Sequence, residues 1–211
     1  MNFEPTEFAH LTKFSPDEIG ADFLLGVSPS LKPPPGNSTP SATRSVLYTA
    51  LDTISTVYPN IRLLDLRHSY LPMFDGRIPT EMNNATVKEV YQAVARAGAL
   101  YLAVPAYWRA VSGSFKNFIE VMCGANYGGK DGYVTVFNSK PIGFFVIGAD
   151  EQSASDAAEQ TQQILYAIGA KIAVRPVVAG NPSELPIDLQ AFIQQVIAEA
   201  GQLVQLLLNH D

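Results

Sequence analysis

The sequence predicts an α/β fold, a doubly wound five-stranded parallel sheet with helices on both faces. Five short apolar runs alternate with stretches whose apolar residues recur at helical spacing, the pattern of strands joined by crossover helices. Hydrophobic residues make up 47% and charged residues 16% of the 211 residues, enough apolar material for a full core. This length favours one domain, expected at residues 21–211 after an N-terminal arm at residues 1–20.

The predicted strands are short apolar runs bounded by loop residues, as in a sheet that is buried on both faces. They lie at residues 21–28, 60–66, 99–104, 141–148 and 171–176. A doubly wound sheet binds its ligand beyond the carboxyl ends of the strands, where the strand order reverses. The loops after the first, third and fourth strands are therefore the candidate positions for a site.

The predicted helices have apolar residues three and four positions apart. They lie at residues 46–54, 86–97, 115–123, 153–168 and 188–209. Thr86 and Glu89 have the spacing of a capping box, which predicts Thr86 as the N-cap of the second helix. Residues 105–113 are expected to form a loop, and the Gly- and Asn-rich residues 124–139 are expected to be exposed.

Composition excludes several classes of function. A formal charge of −6 argues against binding through nucleic-acid phosphates. No apolar run reaches about 18 residues, so no membrane-spanning helix is expected. The N-terminus lacks the pattern of a signal peptide, and the one cysteine, Cys123, favours a reducing compartment, so we expect a cytoplasmic protein.

The sequence offers little support for metal or side-chain nucleophile chemistry. The three histidines, His10, His68 and His210, are too scattered for a metal motif. Cys123 has apolar neighbours, which indicate a buried and unreactive thiol. The chain contains no P-loop, no G-x-G-x-x-G fingerprint and no G-x-S-x-G elbow. We therefore expect no metal and no catalytic side chain.

The first loop, residues 28–39, is rich in hydroxyl groups and leads into a helix. A helix N-terminus offers unpaired N–H groups and the positive end of a dipole, so hydroxyls around it could surround a phosphate. Lys32 is the one cation in this loop. An ordinary loop with a Ser or Thr helix cap explains the same residues equally well.

The third loop carries a longer motif, P-x-Y-x-x-x-x-S-G-x-x-K-N-x-[IL]-[DE], from Pro105 to Glu120. With the G-x-S-P-S…N-S-T run of the first loop, this motif resembles the NAD(P)H-dependent FMN reductase family, which has the flavodoxin-like fold. The resemblance covers roughly residues 21–175. It implies hydride transfer from NADPH or NADH to N5 of FMN, and onward transfer to free flavin, a quinone, an azo compound or a metal oxyanion.

The resemblance also implies a set of cofactor-binding residues. Those expected at the FMN phosphate are Ser28, Ser30, Asn37, Ser38 and Thr39. Those expected along the isoalloxazine are Pro105, Ala106, Tyr107, Trp108 and Arg109, with Ser112 and Gly113 turning the chain into the next helix and Gly148 close to the flavin. Taken without the motif, the two aromatic residues are better explained as surface aromatics of a loop or by packing into the core. A solvated charge is the alternative for the arginine, and a plain turn explains the glycine equally well.

Two features depart from the family pattern. The first loop is long and contains Pro33, Pro34 and Pro35. The fourth-strand loop carries Asp150 and Glu151, whose charges would disfavour a second phosphate there. A non-enzymatic electron carrier or FMN-binding module of the same fold is the alternative function.

A homodimer or homotetramer is expected from apolar residues in excess of what one sheet face needs. They are Phe115, Phe118, Ile119, Val121 and Met122 on the helix, and Tyr127, Tyr133, Val134 and Phe137 in the following segment. The alternative is that these side chains fold back onto their own chain. The expected partners are otherwise a small-molecule electron acceptor, with no nucleic acid and no membrane.

Overall fold

The computed structural model describes residues 23–32, 41–125, 134–180 and 186–209. The expected N-terminal arm at residues 1–20 lies outside the described residues. Asn37, Ser38 and Thr39 of the first loop also lie outside the described residues. The same holds for Tyr127 and Tyr133, which follow the helix predicted at residues 115–123.

The described strands form one seven-stranded sheet. The strands are β1 Leu24–Ser28, β2 Ile61–Asp65, β3 Ala99–Tyr107, β4 Ala110–Val111, β5 Pro141–Gly148, β6 Lys171–Ile172 and β7 Val177–Gly180. Their main order is β2-β1-β3-β5-β6, with every pair parallel. β7 also runs parallel to β5, and β4 pairs antiparallel with β3. The order reverses between β1 and β3, which confirms the doubly wound, flavodoxin-like arrangement.

Helices cover both faces of the sheet, as predicted. They are α1 Ala42–Ser55, α2 Ala85–Arg96, α3 Gly113–Cys123, α4 Glu151–Ala167 and α5 Pro186–Leu208. One core cluster joins the sheet to α1 and α5, and a second joins it to α2, α3 and α4. In β3, Leu100 and Leu102 belong to one cluster while Tyr101 and Ala103 belong to the other. Because successive side chains of a strand point to opposite faces, the central strand is apolar throughout.

Helix α5 is long and apolar. Residues 190–208 have a mean hydropathy of 1.3 and are long and apolar enough to cross a membrane by length and composition. A core helix of a soluble protein meets the same measure, so length and composition alone do not contradict the expectation that no helix spans a membrane. Phe192, Val196, Ala200 and Leu203 pack this helix into the core beside the sheet. This buried face accounts for the apolar composition of the helix.

Two local predictions were wrong. The N-cap of α2 is Asn84 rather than Thr86, since its side-chain Oδ1 accepts a hydrogen bond from Val87 N at 3.1 Å. Asn is among the preferred N-cap residues, and this cap starts the helix at Ala85. Residues 105–113 are not a plain loop, because β3 continues to Tyr107 and the chain returns along it as β4.

The apolar residues of α3 face the core of their own chain. Phe115, Phe118, Ile119, Val121 and Met122 are all buried. Phe137, expected to be exposed, is also buried and contacts Phe118 edge to face, with ring centroids 5.9 Å apart. The segment before α2 covers the helix as well, because Leu71 and Met82 belong to the same core cluster. The excess apolar face that suggested an oligomer is therefore absent from the described part of α3.

Candidate functional site

The candidate site lies where the strand order reverses, between the loops that leave β1 and β3. Ser28 ends β1 and Asp65 ends β2, and the two residues are neighbours in the parallel register. Ser28 and Ser30 are buried, and the described part of the first loop ends at Lys32. The chain re-enters the described region at Ser41, immediately before α1.

Three hydroxyl groups meet at the N-terminus of α1. Ser41 Oγ donates to Ser30 Oγ at 2.8 Å and lies 3.1 Å from Thr43 Oγ1. Ser41 is the N-cap, and its Oγ accepts from Arg44 N at 3.3 Å. All three hydroxyl side chains are buried. The first N–H groups of a helix have no partner within it, so this cluster surrounds a place suited to an anion.

Sequence reasoning missed Ser41 and Thr43. It assigned the helix start to the hydroxyl-rich residues in general and attached the phosphate to Asn37, Ser38 and Thr39. The signal was present in the Ser-Ala-Thr run at residues 41–43, directly before the apolar helical spacing begins. A Ser in that position is a strong N-cap candidate.

A buried ion pair lies beside the hydroxyl cluster. Arg44 Nε donates to Asp65 Oδ2 at 2.8 Å, and Tyr48 Oη donates to the same oxygen at 2.9 Å. Burial, followed by the charge of Asp65, raises the pKa of Tyr48, so the phenol keeps its proton and remains a donor. Neither Arg44 nor Asp65 was singled out from the sequence, where each is one of many scattered charges.

The third loop is a tight hairpin between β3 and β4. Ala106 pairs with Val111 and Tyr107 with Ala110, so Trp108 and Arg109 form a two-residue turn. Their φ angles are 53° and 61°, in the left-handed region. Such a turn normally uses Asn-Gly, and a bulkier residue in this conformation costs about 1–2 kcal/mol.

Contacts with α4 hold this turn in place. Arg109 Nε lies 2.5 Å from Asp156 Oδ2, and the hydrogen bond from Arg109 lowers the pKa of Asp156. Gln160 Nε2 donates to Arg109 O at 3.0 Å, while Gln160 Oε1 accepts from Val111 N at 3.3 Å. Two side chains of one helix therefore fix both the tip and the returning strand of the hairpin.

The hairpin presents two aromatic side chains at the site. Pro105 and Ala106 are buried, whereas Tyr107 is 44% and Trp108 is 97% exposed. Burial raises the pKa of Tyr107, and the positive charge of Arg44 opposes that rise. β1 and β3 are neighbouring parallel strands, so the loops that leave their carboxyl ends lie at the same edge of the sheet.

The end of the hairpin leads into α3 as the sequence motif implied. Ser112 is the N-cap, and its Oγ accepts from Phe115 N at 3.2 Å. Gly113 is the first helical residue, with open space where a side chain would be. Asn117 Nδ2 donates to Pro72 O at 2.9 Å, so this residue holds the segment after β2 against α3.

The sequence and structural comparisons agree on the class of protein. A family model described as NADPH-dependent FMN reductase matches residues 35–183. The chain belongs to this FMN reductase family. No curated protein sequence matches it. The family makes the protein an oxidoreductase that uses FMN as its cofactor, with NAD(P)H as the electron donor.

Solved structures share the fold of this FMN reductase. The apo form of an NADH:FMN oxidoreductase, EMOB, has a TM-score of 0.62 and 15% identity, covering 87% of this chain and 88% of that one. An FMN-dependent NADH-azoreductase from Bacillus anthracis, in complex with FMN, has a TM-score of 0.59 and 13% identity, covering 87% and 99%. An NAD(P)H:(acceptor) oxidoreductase from Paracoccus denitrificans, FerB, has a TM-score of 0.55 and 15% identity, covering 86% and 97%.

The residues of the reductase fit a phosphate-bearing cofactor. Ser28 Oγ is buried and has no hydrogen-bond partner among the described residues. A buried hydroxyl without a partner is costly, and a phosphate oxygen placed there would remove the cost. The cluster of Ser30, Ser41 and Thr43 offers further donors. No group of three metal-ligating side chains occurs within the described residues.

Gly148 and the fourth loop have a packing role in the reductase. A Cβ on Gly148 would meet Ala154 N at 2.8 Å, so the end of β5 packs directly against α4. Asp150 is the N-cap of α4 and accepts from Ser153 N at 2.7 Å and from Ser153 Oγ at 2.8 Å. The backbone hydrogen bond from Ser153 lowers the pKa of Asp150, which therefore keeps its negative charge.

Proposed function

We propose that the protein transfers electrons from NAD(P)H through FMN, bound between the first and third loops, to a second acceptor. The acceptor is free flavin, a quinone, an azo compound or a metal oxyanion. The observation that carries the proposal is the buried hydroxyl cluster at the start of α1, at the same edge of the sheet as a hairpin that is fixed in a costly conformation. The EMOB, azoreductase and FerB structures, which have the same fold, are described as enzymes of this kind.

In this proposal the phosphate is held by hydroxyls and helix N–H groups. Ser28, Ser30, Ser41 and Thr43 supply the hydroxyls among the described residues. Ser38 and Thr39 would add two further hydroxyls, and Asn37 would add an amide. The buried Ser28 hydroxyl supports this assignment, since it has no hydrogen-bond partner among the described residues.

The hairpin holds the ring system. Residues 105–109 would lie along the isoalloxazine, with Ser112 and Gly113 setting the angle at which α3 leaves the site. When bound, FMN supplies the redox chemistry by taking a hydride at N5 and releasing the electrons to the acceptor. The chain binds and orients the reactants, and backbone N–H groups of a rigid hairpin stabilise negative charge on the ring without rearranging.

The test measures binding and turnover separately. Trp108 is the only tryptophan and is exposed, so FMN bound beside it will quench the intrinsic fluorescence. Nicotinamide absorbance is then followed with NADPH or NADH, FMN and each class of acceptor. Quenching accompanied by oxidation of the coenzyme supports the reductase. Quenching with no oxidation of either coenzyme would instead identify an electron carrier or FMN-binding module.

We further propose a cytoplasmic homodimer or homotetramer. The support is a set of exposed apolar side chains on loops that leave the same edge of the sheet: Leu31, Tyr70, Met73, Tyr107 and Trp108. Light scattering after size exclusion, with FMN present, tests this assembly. A mass near 22.8 kDa across a wide concentration range would favour a monomer.

A further inference from the structure

Arg44 is buried and forms several hydrogen bonds, unlike a charged residue on the exposed face of a helix. It is 8% exposed and lies in the first turn of α1. Its guanidinium donates to Ser30 O and to Lys32 O, the latter at 3.0 Å. The same group donates to Asp65 Oδ2 at 2.8 Å and lies 3.4 Å from Oδ1. One side chain therefore joins α1, the first loop and the end of β2.

Asp65, the carboxylate that accepts hydrogen bonds from Arg44, is also held by other residues. Asp65 is buried, and it accepts hydrogen bonds from Tyr48 Oη at 2.9 Å and from Arg67 N at 3.0 Å. A buried ion pair contributes little to stability, because removing both charges from water offsets their attraction. The pair therefore calls for an explanation other than folding free energy.

The two loop carbonyls that Arg44 binds flank the hydroxyl cluster. With Ser30 O held, Ser30 Oγ lies 2.8 Å from Ser41 Oγ at the helix N-cap. Because Asp65 neutralises the guanidinium, the main effect of Arg44 is on the shape of the loop rather than on its net charge. Lysine could supply the charge but not the planar fork that reaches two carbonyls and a carboxylate.

We propose that Arg44 is a positioning residue that fixes the start of the first loop, at Ser30 and Lys32, for a phosphate monoester, so that the protein binds FMN in preference to riboflavin. This inference rests on the proposed FMN site between the first and third loops. It assigns the preference to a residue that does not itself need to touch the cofactor. The ring system, held by the hairpin, contributes equally to both ligands.

The test compares FMN with riboflavin by isothermal titration. In Arg44→Lys, FMN affinity is expected to fall about tenfold or more, while riboflavin affinity changes less than about twofold. The matched control is Arg62→Lys on β2, where the guanidinium donates only to Ile61 O at 2.8 Å among the described contacts. That control is expected to change neither affinity. Circular dichroism and thermal melting verify that each variant is folded.

A second variant covers the case in which Arg44→Lys does not fold. Tyr48→Phe removes one hydrogen bond to Asp65 and keeps the ring packing, so a smaller loss confined to FMN is expected. Equal loss of both ligands, unchanged FMN affinity in these variants, or a wild-type protein that does not prefer FMN would overturn the inference. Absence of coenzyme oxidation with FMN preference intact would overturn only the proposed reductase activity.

Discussion

Trp108 and Arg109 adopt a backbone conformation that their side chains disfavour, and α4 compensates for the cost. The φ angles of 53° and 61° would suit Asn and Gly. The ion pair to Asp156 and the two hydrogen bonds of Gln160 keep the turn closed. The strain therefore lies in the same loop as the exposed aromatic side chain. Strained backbone is common where a fixed geometry serves binding or catalysis.

Replacing Trp108 with Asn should relieve part of this strain. Asn accepts the left-handed conformation more readily, so the free energy of unfolding should rise by about 0.5–1 kcal/mol. Chemical denaturation followed by circular dichroism measures the change. Tyr70→Asn is the control, because Tyr70 is also exposed but is not among the residues with positive φ. A lower stability for Trp108→Asn would contradict the strain argument.

The helices show how local sequence sets the ends of elements. Asn84 and Ser41 start α2 and α1 because their side chains accept a hydrogen bond from the backbone three residues later. The prediction of Thr86 followed a capping-box spacing, and Asn84, a stronger cap, lies two residues earlier. The spacing of apolar residues predicted that these helices exist. Where each helix begins depends on which of several nearby polar residues acts as its N-cap.

Two glycine-to-alanine substitutions should change stability in opposite directions. At Gly148 the added Cβ would meet Ala154 N at 2.8 Å and Ala154 Cα at 3.1 Å, so β5 and α4 must separate. We expect a loss of about 2 kcal/mol in the free energy of unfolding. Gly201 lies within α5 with nothing near its Cβ position, and alanine there should add about 0.5–1 kcal/mol. Urea denaturation compares the two, and equal effects would exclude packing as the cause.

At the scale of the whole molecule, the sequence predicted the five parallel strands of the main order but missed β4 and β7 and the contacts between the loops. Apolar runs such as residues 141–148 predicted a strand that is observed at Pro141–Gly148. The Arg44–Asp65 pair joins residues far apart in sequence, and no local pattern indicates it. The sequence analysis assigned Phe118 and Phe137 to a subunit interface, whereas in the structure they pack against each other. An apolar residue is visible in the sequence, but the residue that covers it is not.

The ionisation of the Cys123 thiol makes the free energy of unfolding depend on pH. Burial raises the pKa of its thiol from 9.0 to about 12. The unfolded thiol therefore ionises first, so its contribution is fully present below pH 9 and declines as the pH rises toward about 12. Between pH 8 and pH 10.5, the wild-type protein should lose about 2 kcal/mol more stability than Cys123→Ala.

Denaturation at the two pH values measures this difference directly. The alanine variant serves as the control because the remaining titratable groups are common to both proteins. An identical loss of stability in the two proteins would show that the thiol is not shielded from solvent. Native protein at pH 8 should also resist alkylation, since the thiolate is the reactive form.

The carboxylates around the hairpin bear on how acceptors reach the site. Asp150, Glu151 and Asp156 lie at the N-cap and in the first two turns of α4, and among the described residues Arg109 forms an ion pair with Asp156. The local field is therefore negative, and diffusion of an anionic oxidant toward it is slowed in dilute buffer. Added salt shortens the Debye length and screens that repulsion. With NAD(P)H saturating, rates with an oxyanion should therefore increase with ionic strength, while rates with an uncharged quinone stay level.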